Sequence, residues 1–257
     1  MSSPAMGPVR MLISRLAVAA GLLAVALPGG ASAADGKTPP VVVELFTSQG
    51  CSSCPPADKL LQDLAKDASI LALSLPVDYW DYLGWKDTLA SPENSERQRL
   101  YSARRGDRSV YTPQIVINGG EHVVGGDEAA VGAALGRATK MTASVLLHST
   151  PDMLEVTIDG ALPEGAKMAT VYLLHVMPSR TVEVGRGENE GRQVTYVNVV
   201  KRLEAVGMWS GGQMELKLPQ HPMKKGGKRC AVIVQLEDDS GPGRIIGAAS
   251  NLWDTGI

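Results

Sequence analysis

The chain has 257 residues, of which 44% are hydrophobic and 20% are charged, and its formal net charge is −2. This composition is typical of an ordinary globular protein. The nearly neutral charge, with neither a basic nor an acidic tail, excludes the charge patterns of proteins that bind nucleic acid or a strongly charged partner. Aromatic residues make up only 4%, so the core must be built mostly from aliphatic side chains.

The first 33 residues have the pattern of a secretory signal peptide. Arg10 and Arg15 supply a positive region, an apolar stretch of 12 residues spans 16–27, and Ala31-Ser32-Ala33 matches the small-residue cleavage pattern. An uncleaved membrane anchor is the alternative, but such a stretch is too short to cross a bilayer core of about 30 Å as a helix. We therefore expect an exported protein, periplasmic or secreted, with no stable membrane span after cleavage.

A strand, a pair of cysteines and a helix follow one another at the start of the expected mature chain. The β-rich run Val41–Phe46 predicts a buried strand, and a turn then leads to Cys51-Ser52-Ser53-Cys54 and to Pro55-Pro56. Proline fits the first turn of a helix, so the sequence places the cysteines at a helix N-terminus. The positive end of a helix favours a thiolate at Cys51.

The chain contains three cysteines, Cys51, Cys54 and Cys230, which is too few for a disulfide scaffold. A bridge between Cys51 and Cys54 would close a very short loop and contribute only about 2 kcal/mol in the chain-entropy model. Redox use of the pair is therefore favoured over a structural bridge or a dithiol metal site. Cys230 lies in a β-rich run and is interpreted as a buried, inert thiol. We expect no metal and no cofactor.

The next segment predicts an alternation of strands and helices. Ser91-Pro92 is a good helix start, and Asn118-Gly119 is a hairpin signal. Trp80 and Trp85 lie in an aromatic loop and are interpreted as packing residues, with a substrate platform as the alternative. In chain order we expect a strand Ile70–Val77, a helix from Ser91 to near Gly106, strands Tyr111–Ile117 and Glu121–Val124, and a helix from Asp127 to Ala138.

This set of features resembles the thioredoxin-like fold. The resemblance rests on the CxxC at a strand-to-helix junction, on Thr112-Pro113 about 60 residues later, and on the hairpin followed by a last helix. More closely, the motif ELFTSQGCSSCPPAD, with the later RGENEGR, resembles the DUF1223 family of exported bacterial proteins. The resemblance implies an α/β fold with a thioredoxin-like domain over residues 35–140.

The same resemblance implies roles for individual residues. Cys51 resembles the exposed attacking thiol and Cys54 the resolving thiol. Pro113 resembles the cis-proline that faces the disulfide, with Thr112 offering its backbone to an extended substrate. Glu44 resembles the buried acid that passes protons to the resolving cysteine, although it lies seven residues before Cys51. The alternatives are a solvent-facing Glu44 and a trans Pro113 at the start of an edge strand.

After residue 140 the chain becomes β-rich, which predicts a smaller all-β, sandwich-like domain over residues 141–257. The run that starts at Val194 has an alternative in which it ends in a short helix near Arg202. Between two β-rich runs, the segment 186–192 is interpreted as a solvated hairpin tip. Its alternative is a substrate gate beside Cys51, to which Arg186 and Arg192 would add positive charge. The expected β-rich runs are Ala143–Leu147, Leu154–Ile158, Ala169–Val176, Val194–Val200, Met214–Leu218 and Cys230–Leu236.

Two classes of function agree with these observations. The first is an exported thiol–disulfide oxidoreductase that uses Cys51 and Cys54 on a protein, peptide or small disulfide and exchanges electrons with an unidentified redox partner. The second is an exported binding or assembly protein on a thioredoxin-like scaffold, with a structural or vestigial CxxC. Nucleic acid is not an expected partner of either.

Overall fold

The structure is a computed structural model that describes residues 41–150, 152–219 and 229–252, together with Met1 and the short strand Ala34–Asp35. The expected signal peptide lies outside the described residues, apart from Met1. No helix in the described ranges is long and apolar enough to cross a membrane.

The described chain has a mixed α/β fold in which strands predominate over helices. The helices are α1 (Pro55–Leu64), α2 (Pro92–Arg105) and α3 (Glu128–Gly136), with a 3-10 turn at Asp81–Leu83. The strands are β1 (Ala34–Asp35), β2 (Val41–Thr47), β3 (Ile70–Pro76), β4 (Gln114–Ile117), β5 (Glu121–Val124), β6 (Ala143–Ser149), β7 (Met153–Gly160), β8 (Ala169–Met177), β9 (Arg180–Glu183), β10 (Gln193–Tyr196), β11 (Val199–Trp209), β12 (Met214–Pro219), β13 (Cys230–Asp238) and β14 (Gly241–Ser250).

One eight-stranded sheet joins the two halves of the chain, in the order β14-β13-β8-β11-β3-β2-β4-β5. The join is a parallel contact between β11 and β3, where Val199 lies opposite Ser74. Asn198, with a φ of 48°, turns the chain onto β3, and its side-chain amide donates to the carbonyl of Ala72 at 3.0 Å. Strands β8, β11, β13 and β14 therefore extend the first sheet, whereas the sequence predicted an all-β layer of their own. The domain division near residue 140 stays a prediction.

The remaining strands form two smaller sheets. Strands β1, β6, β7 and β12 form a four-stranded sheet, and β9 and β10 form a hairpin. Along β6 buried side chains alternate with exposed ones, and along β7 buried side chains alternate with half-buried ones. Both strands lie where the sequence predicted β-rich runs. Their inner face packs on β8, β13 and β14 through an aliphatic core that includes Val145, Val156, Val171, Val232 and Ile246.

Strand β2 lies at the centre of the first half of the sheet and contacts helices on both faces. Leu45 packs with Leu61 of α1 and Val131 of α3. On the other face, the ring of Phe46 meets the ring of Tyr101 from α2 edge-on, with 6.3 Å between centroids. The carboxyl end of β2 therefore leads directly into the cysteine turn and α1.

Local capping and turn residues predicted several element boundaries correctly. Ser91 caps α2 by accepting a hydrogen bond from the Asn94 amide, and α2 ends at Gly106 with a φ of 76°. At Gly119, with a φ of 66°, a Cβ atom would lie 2.3 Å from the carbonyl oxygen of Gly243, so the hairpin requires glycine there.

Other expectations after residue 190 were wrong or incomplete. The run from Val194 forms β10 and β11, and no helix forms near Arg202, because β11 is held by β8 along its whole length. Strand β14 was not expected, since Gly241, Gly243 and Gly247 are typical of turns.

Glu44 is fully buried on β2, so the solvent-facing alternative is wrong. Its carboxylate accepts hydrogen bonds from Arg97 Nε and from the Tyr101 hydroxyl, both at 2.7 Å. Arg97 also donates to Gln235 Oε1 at 2.9 Å. The network thus ties β2 to α2 and β13, and removing one partner of such a buried ion pair typically costs about 3–5 kcal/mol.

Candidate functional site

Cys51 and Cys54 form a disulfide in the turn between β2 and α1. The Cys51 amide donates to the Ser48 carbonyl, and the Cys54 amide to the Cys51 carbonyl, both at 3.2 Å. Cys54 is the N-cap residue of α1, and Pro55 and Pro56 occupy its first positions. The strand–turn–helix junction predicted from the sequence is therefore confirmed; residues 48–54 are called the Cys51 turn below.

Both cysteines are buried in this disulfide form. Cys51 is 4% exposed and Cys54 is 0% exposed. The expectation of an exposed Cys51 is thus wrong for this state, because two loops lie against the turn. Ser52 and Ser53 stay exposed, and the Ser53 hydroxyl donates to Cys51 Sγ at 3.4 Å, since a disulfide sulfur has no proton to give.

The first covering element is the hairpin loop, residues 184–192, between β9 and β10. Asn189 is 1% exposed and donates from Nδ2 to the carbonyls of Gln49, at 3.0 Å, and Cys51, at 2.8 Å. Arg192 Nη1 donates to Asn189 Oδ1 at 3.1 Å. The segment is thus both a hairpin tip and a contact of the Cys51 turn.

The sequence-predicted arginines of this loop are not the residues that reach the turn. Arg186 and Arg192 are exposed, whereas Asn189 makes the contact and was not singled out from the sequence. The available signal was an uncharged polar residue at the centre of a charged segment. The role of Arg186 and Arg192 as a substrate gate stays a prediction.

The second covering element is the aromatic loop. Trp80 Nε1 donates to Thr112 Oγ1 at 2.8 Å, and a Cβ atom at Gly50 would lie 3.1 Å from Trp80 Cβ. Trp80 therefore fills the space between Thr112 and the residue that precedes Cys51. The ring of Tyr82, which is 76% exposed, stacks on Trp80 with 6.2 Å between centroids.

Trp85 packs against the Cys51 turn and the hairpin loop, in agreement with its predicted role as a packing residue. Its Nε1 donates to Gln49 Oε1 at 2.8 Å, and a Cβ atom at Gly185 would lie 2.9 Å from its ring. The backbone N–H of Gln49 in turn donates to Asp87 Oδ2 at 2.7 Å. Trp85 therefore holds the hairpin loop and the Cys51 turn together.

The peptide bond between Thr112 and Pro113 is cis, which confirms that prediction. Pro113 immediately precedes β4 and lies close to α1, since a Cβ atom at Gly125 would be 3.2 Å from both Pro113 Cβ and Ala57 Cβ. The contact of Thr112 with a substrate stays a prediction.

Acidic side chains are buried near the first turn of α1. Asp58 is 2% exposed; its Oδ1 accepts from Thr47 Oγ1 at 2.8 Å, and its Oδ2 has no hydrogen-bond partner among the described residues. Burial raises the pKa of Asp58 well above its usual value, with a smaller rise from Asp87, against the lowering effect of the Thr47 hydroxyl. Burial also raises the pKa of Tyr196, and the charges of both acids add to that rise.

Burial likewise raises the pKa of Asp87. Three backbone amides donate to its carboxylate and partly offset this rise. Within the described ranges, no group of three or more His, Cys, Asp or Glu side chains is arranged to hold a metal ion. The described site thus brings together the two sulfur atoms of the disulfide and the buried acids Asp58 and Asp87.

The sequence matches the model of one protein family, described as "Protein of unknown function (DUF1223)", over residues 42–235. It is also 45% identical over 38 residues to a "Probable Thioredoxin" of Archaeoglobus fulgidus. That match covers 15% of this chain and 42% of the relative, so the chain spans less than half the length of this relative.

Two solved structures resemble this one. A crystal structure of a protein from Agrobacterium tumefaciens is 36% identical, covers 86% of this chain and 98% of its own, and has a TM-score of 0.71. HBP35 of Porphyromonas gingivalis is 13% identical, covers 85% of this chain and 76% of its own, and has a TM-score of 0.56. The second likeness is one of fold alone.

The buried state of Asp58 predicts a pH-dependent stability. Because its folded pKa is raised from 3.8, the stability it contributes is fully present below pH 3.8 and is lost as the pH rises through the folded pKa. Asp58→Asn mimics the protonated side chain, so the variant should gain stability over the wild type as the pH rises. Urea unfolding at a series of pH values measures this difference.

Asp63→Asn is the control in the same helix. Asp63 is exposed, and its pKa is lowered by Lys66 and Lys59, so its contribution is present above pH 3.8 and lost as the pH falls. The two variants should therefore differ in the sign of their pH dependence, and the same sign in both would contradict the account of Asp58.

Proposed function

We propose that this chain, which belongs to the DUF1223 family, is an exported thiol–disulfide oxidoreductase whose redox pair is Cys51 and Cys54. The observation that carries the proposal is their disulfide at the N-terminus of α1. Cross-linking so short a loop stabilises a fold by only about 2 kcal/mol, which makes a purely structural use weak. The signal-peptide pattern of residues 1–33 supports export.

The proposal includes a thioredoxin-like domain over residues 35–140 and a β-rich domain over residues 141–257. The element order β2-α1-β3-α2-β4-β5-α3, with α1 and α3 on one face of the sheet and α2 on the other, supports the first. The short match to a probable thioredoxin points the same way.

The pair has an order of action in this proposal. A substrate thiolate attacks Cys51 Sγ, the bond between the two sulfurs breaks, and its electron pair leaves on Cys54. The small exposed area belongs to Cys51, which supports its role as the sulfur that meets substrate. In the reduced form, the positive end of α1 favours the Cys51 thiolate.

The substrate in this proposal is a protein or peptide thiol or disulfide. An extended chain would pair with the backbone of Thr112, next to Pro113, as the resemblance to thioredoxin-like proteins implies. Trp80 supports this placement by joining Thr112 to Gly50 of the Cys51 turn. A separate thiol or disulfide partner would restore the starting state of the pair.

The hairpin loop would act as a substrate gate. Asn189 of this loop donates to the carbonyls of Gln49 and Cys51, while Arg186 and Arg192 on either side of Asn189 are exposed. Their charge would raise the local positive potential for an approaching protein.

A second candidate function is a binding or assembly protein in which the disulfide is structural. The 4% exposure of Cys51 and the 0% exposure of Cys54 favour it, because a buried disulfide is protected from exchange. The two functions differ in the reactivity that they predict for Cys51.

Cys51→Ala should abolish disulfide exchange, and Cys54→Ala should leave one reactive thiol of lowered pKa. The thiolate is the nucleophile. At pH 6, Cys51 in the Cys54→Ala variant should therefore react with iodoacetamide much faster than an ordinary thiol with a pKa of about 8.5. Mass spectrometry of the labelled peptides separates Cys51 from Cys230. A rate no greater than that of a free thiol would overturn the assignment.

Replacing Arg186 and Arg192 together with Ala tests the gate. The variant should lose activity on a folded protein disulfide and keep it on a small disulfide, since only the large substrate contacts the loop. Arg180→Ala, an exposed arginine on β9 of the same hairpin, is the control. Unchanged kinetics on both substrates would leave the loop as a surface hairpin.

A further inference from the structure

We infer that Asp58 is the group that gives a proton to Cys54 and takes it back during disulfide exchange. The inference rests on the proposed redox function and adds to it a catalytic residue. It depends on the position of Asp58 in α1, on the contacts of its carboxyl group, and on the contacts of Glu44, the acid to which the sequence assigned this role.

Asp58 lies one helical turn after Cys54, the N-cap residue of α1. The Asp58 amide donates to the Cys54 carbonyl at 3.1 Å, which is the hydrogen bond of helical neighbours four residues apart. Side chains with this spacing have Cβ atoms about 5–6 Å apart. Both residues are buried, with 0% of Cys54 and 2% of Asp58 exposed. A proton on Cys54 therefore has an acid nearby and little access to solvent.

The carboxyl group of Asp58 has one free oxygen. Thr47 Oγ1 donates to Oδ1, and Oδ2 has no hydrogen-bond partner among the described residues. A buried carboxylate oxygen without a donor is costly, so the group is better satisfied as a carboxylic acid. Asp58 thus holds a proton in the disulfide form, in a position to be transferred.

Burial and the charge of Asp87 raise the pKa of Asp58 and favour this protonated state, against the lowering effect of the hydrogen bond from Thr47 on β2. Tyr196 on β10 has a raised pKa and stays neutral. The nearby Lys59 and Lys66 are exposed and pair with Asp63.

Glu44 is occupied by other partners. Arg97 Nε donates to its Oε1 and the Tyr101 hydroxyl to its Oε2, so both carboxylate oxygens are taken. The proton-passing role implied for Glu44 by the thioredoxin resemblance therefore moves to Asp58.

The proton steps balance in both directions. When a thiolate attacks Cys51 Sγ, the disulfide breaks and its electron pair leaves on Cys54 Sγ. Asp58 then gives its proton to Cys54, which leaves a Cys54 thiol and an Asp58 carboxylate. In reverse, the carboxylate takes the proton from Cys54, the Cys54 thiolate attacks Cys51 in the mixed disulfide, and the substrate thiolate leaves.

The two steps can be followed with 5,5′-dithiobis(2-nitrobenzoate) as the probe. In the reduced full chain carrying Cys230→Ala, attack by Cys51 releases one thionitrobenzoate, and resolution by Cys54 releases the second. Asp58→Asn should leave the first release within about twofold and slow the second by about 100-fold, the usual scale of general acid–base catalysis. It should also remove the pH inflection of the second release.

Three further variants make the test specific. Asp58→Glu should restore part of the second release. Thr47→Val should move the inflection to higher pH, because it removes the hydrogen bond that lowers the pKa of Asp58. Glu44→Gln should leave the second release within about threefold if its fold is retained, as measured by near-ultraviolet circular dichroism.

The outcomes separate the two proposals. A second release that is unchanged in Asp58→Asn, or that is lost in folded Glu44→Gln instead, would overturn the role of Asp58 while the redox function stands. If the reduced parent chain releases no thionitrobenzoate, the redox function itself is overturned, and the role of Asp58 with it. If Asp58→Asn does not fold, an unmoved inflection in Thr47→Val would overturn the inference.

Discussion

Burial of the Cys51 turn is the constraint on which the rest of the site depends. Backbone carbonyls that leave water need hydrogen-bond donors, and the side chain of Asn189 donates to the carbonyls of both Gln49 and Cys51. That side chain lies 138 residues from Cys51 in the sequence. The hairpin that carries Asn189 follows β8 in the chain, and β8 and β11 join the sheet beside β3. The C-terminal half of the fold is thereby built into the site.

The predictability of the elements follows the range of the interactions that form them. Pro55, Ser91 and Gly119 act within a few residues of their own position, and the junction, helix and turn that they predicted are present. The pairing of Val199 with Ser74 leaves no local pattern in either strand, so the sequence indicated a separate all-β layer. Asn189 was missed for the same reason: its partners are backbone carbonyls, which any sequence supplies.

The two buried acids show what burial alone does not determine. Glu44 and Asp58 are both buried, but Arg97 and Tyr101 donate to the two oxygens of Glu44. Asp58 accepts one hydrogen bond, from the Thr47 hydroxyl, and its Oδ2 has no partner among the described residues. The first arrangement is an ion pair between sheet and helix, whereas in the second burial raises the pKa of a carboxyl group one helical turn after Cys54. The family resemblance pointed to Glu44 by its position on β2, although the seven-residue spacing from Glu44 to Cys51 departs from the usual spacing in thioredoxin-like proteins.

The reduction potential of the Cys51–Cys54 pair tests the central claim most directly. It can be measured by equilibrating the full chain in glutathione and dithiothreitol buffers and quantifying the two thiols by alkylation and mass spectrometry, with Cys51→Ala as the blank. A catalytic pair is expected between about −270 and −120 mV. A potential below about −300 mV, the range of structural disulfides, would contradict the redox function and favour the binding or assembly protein.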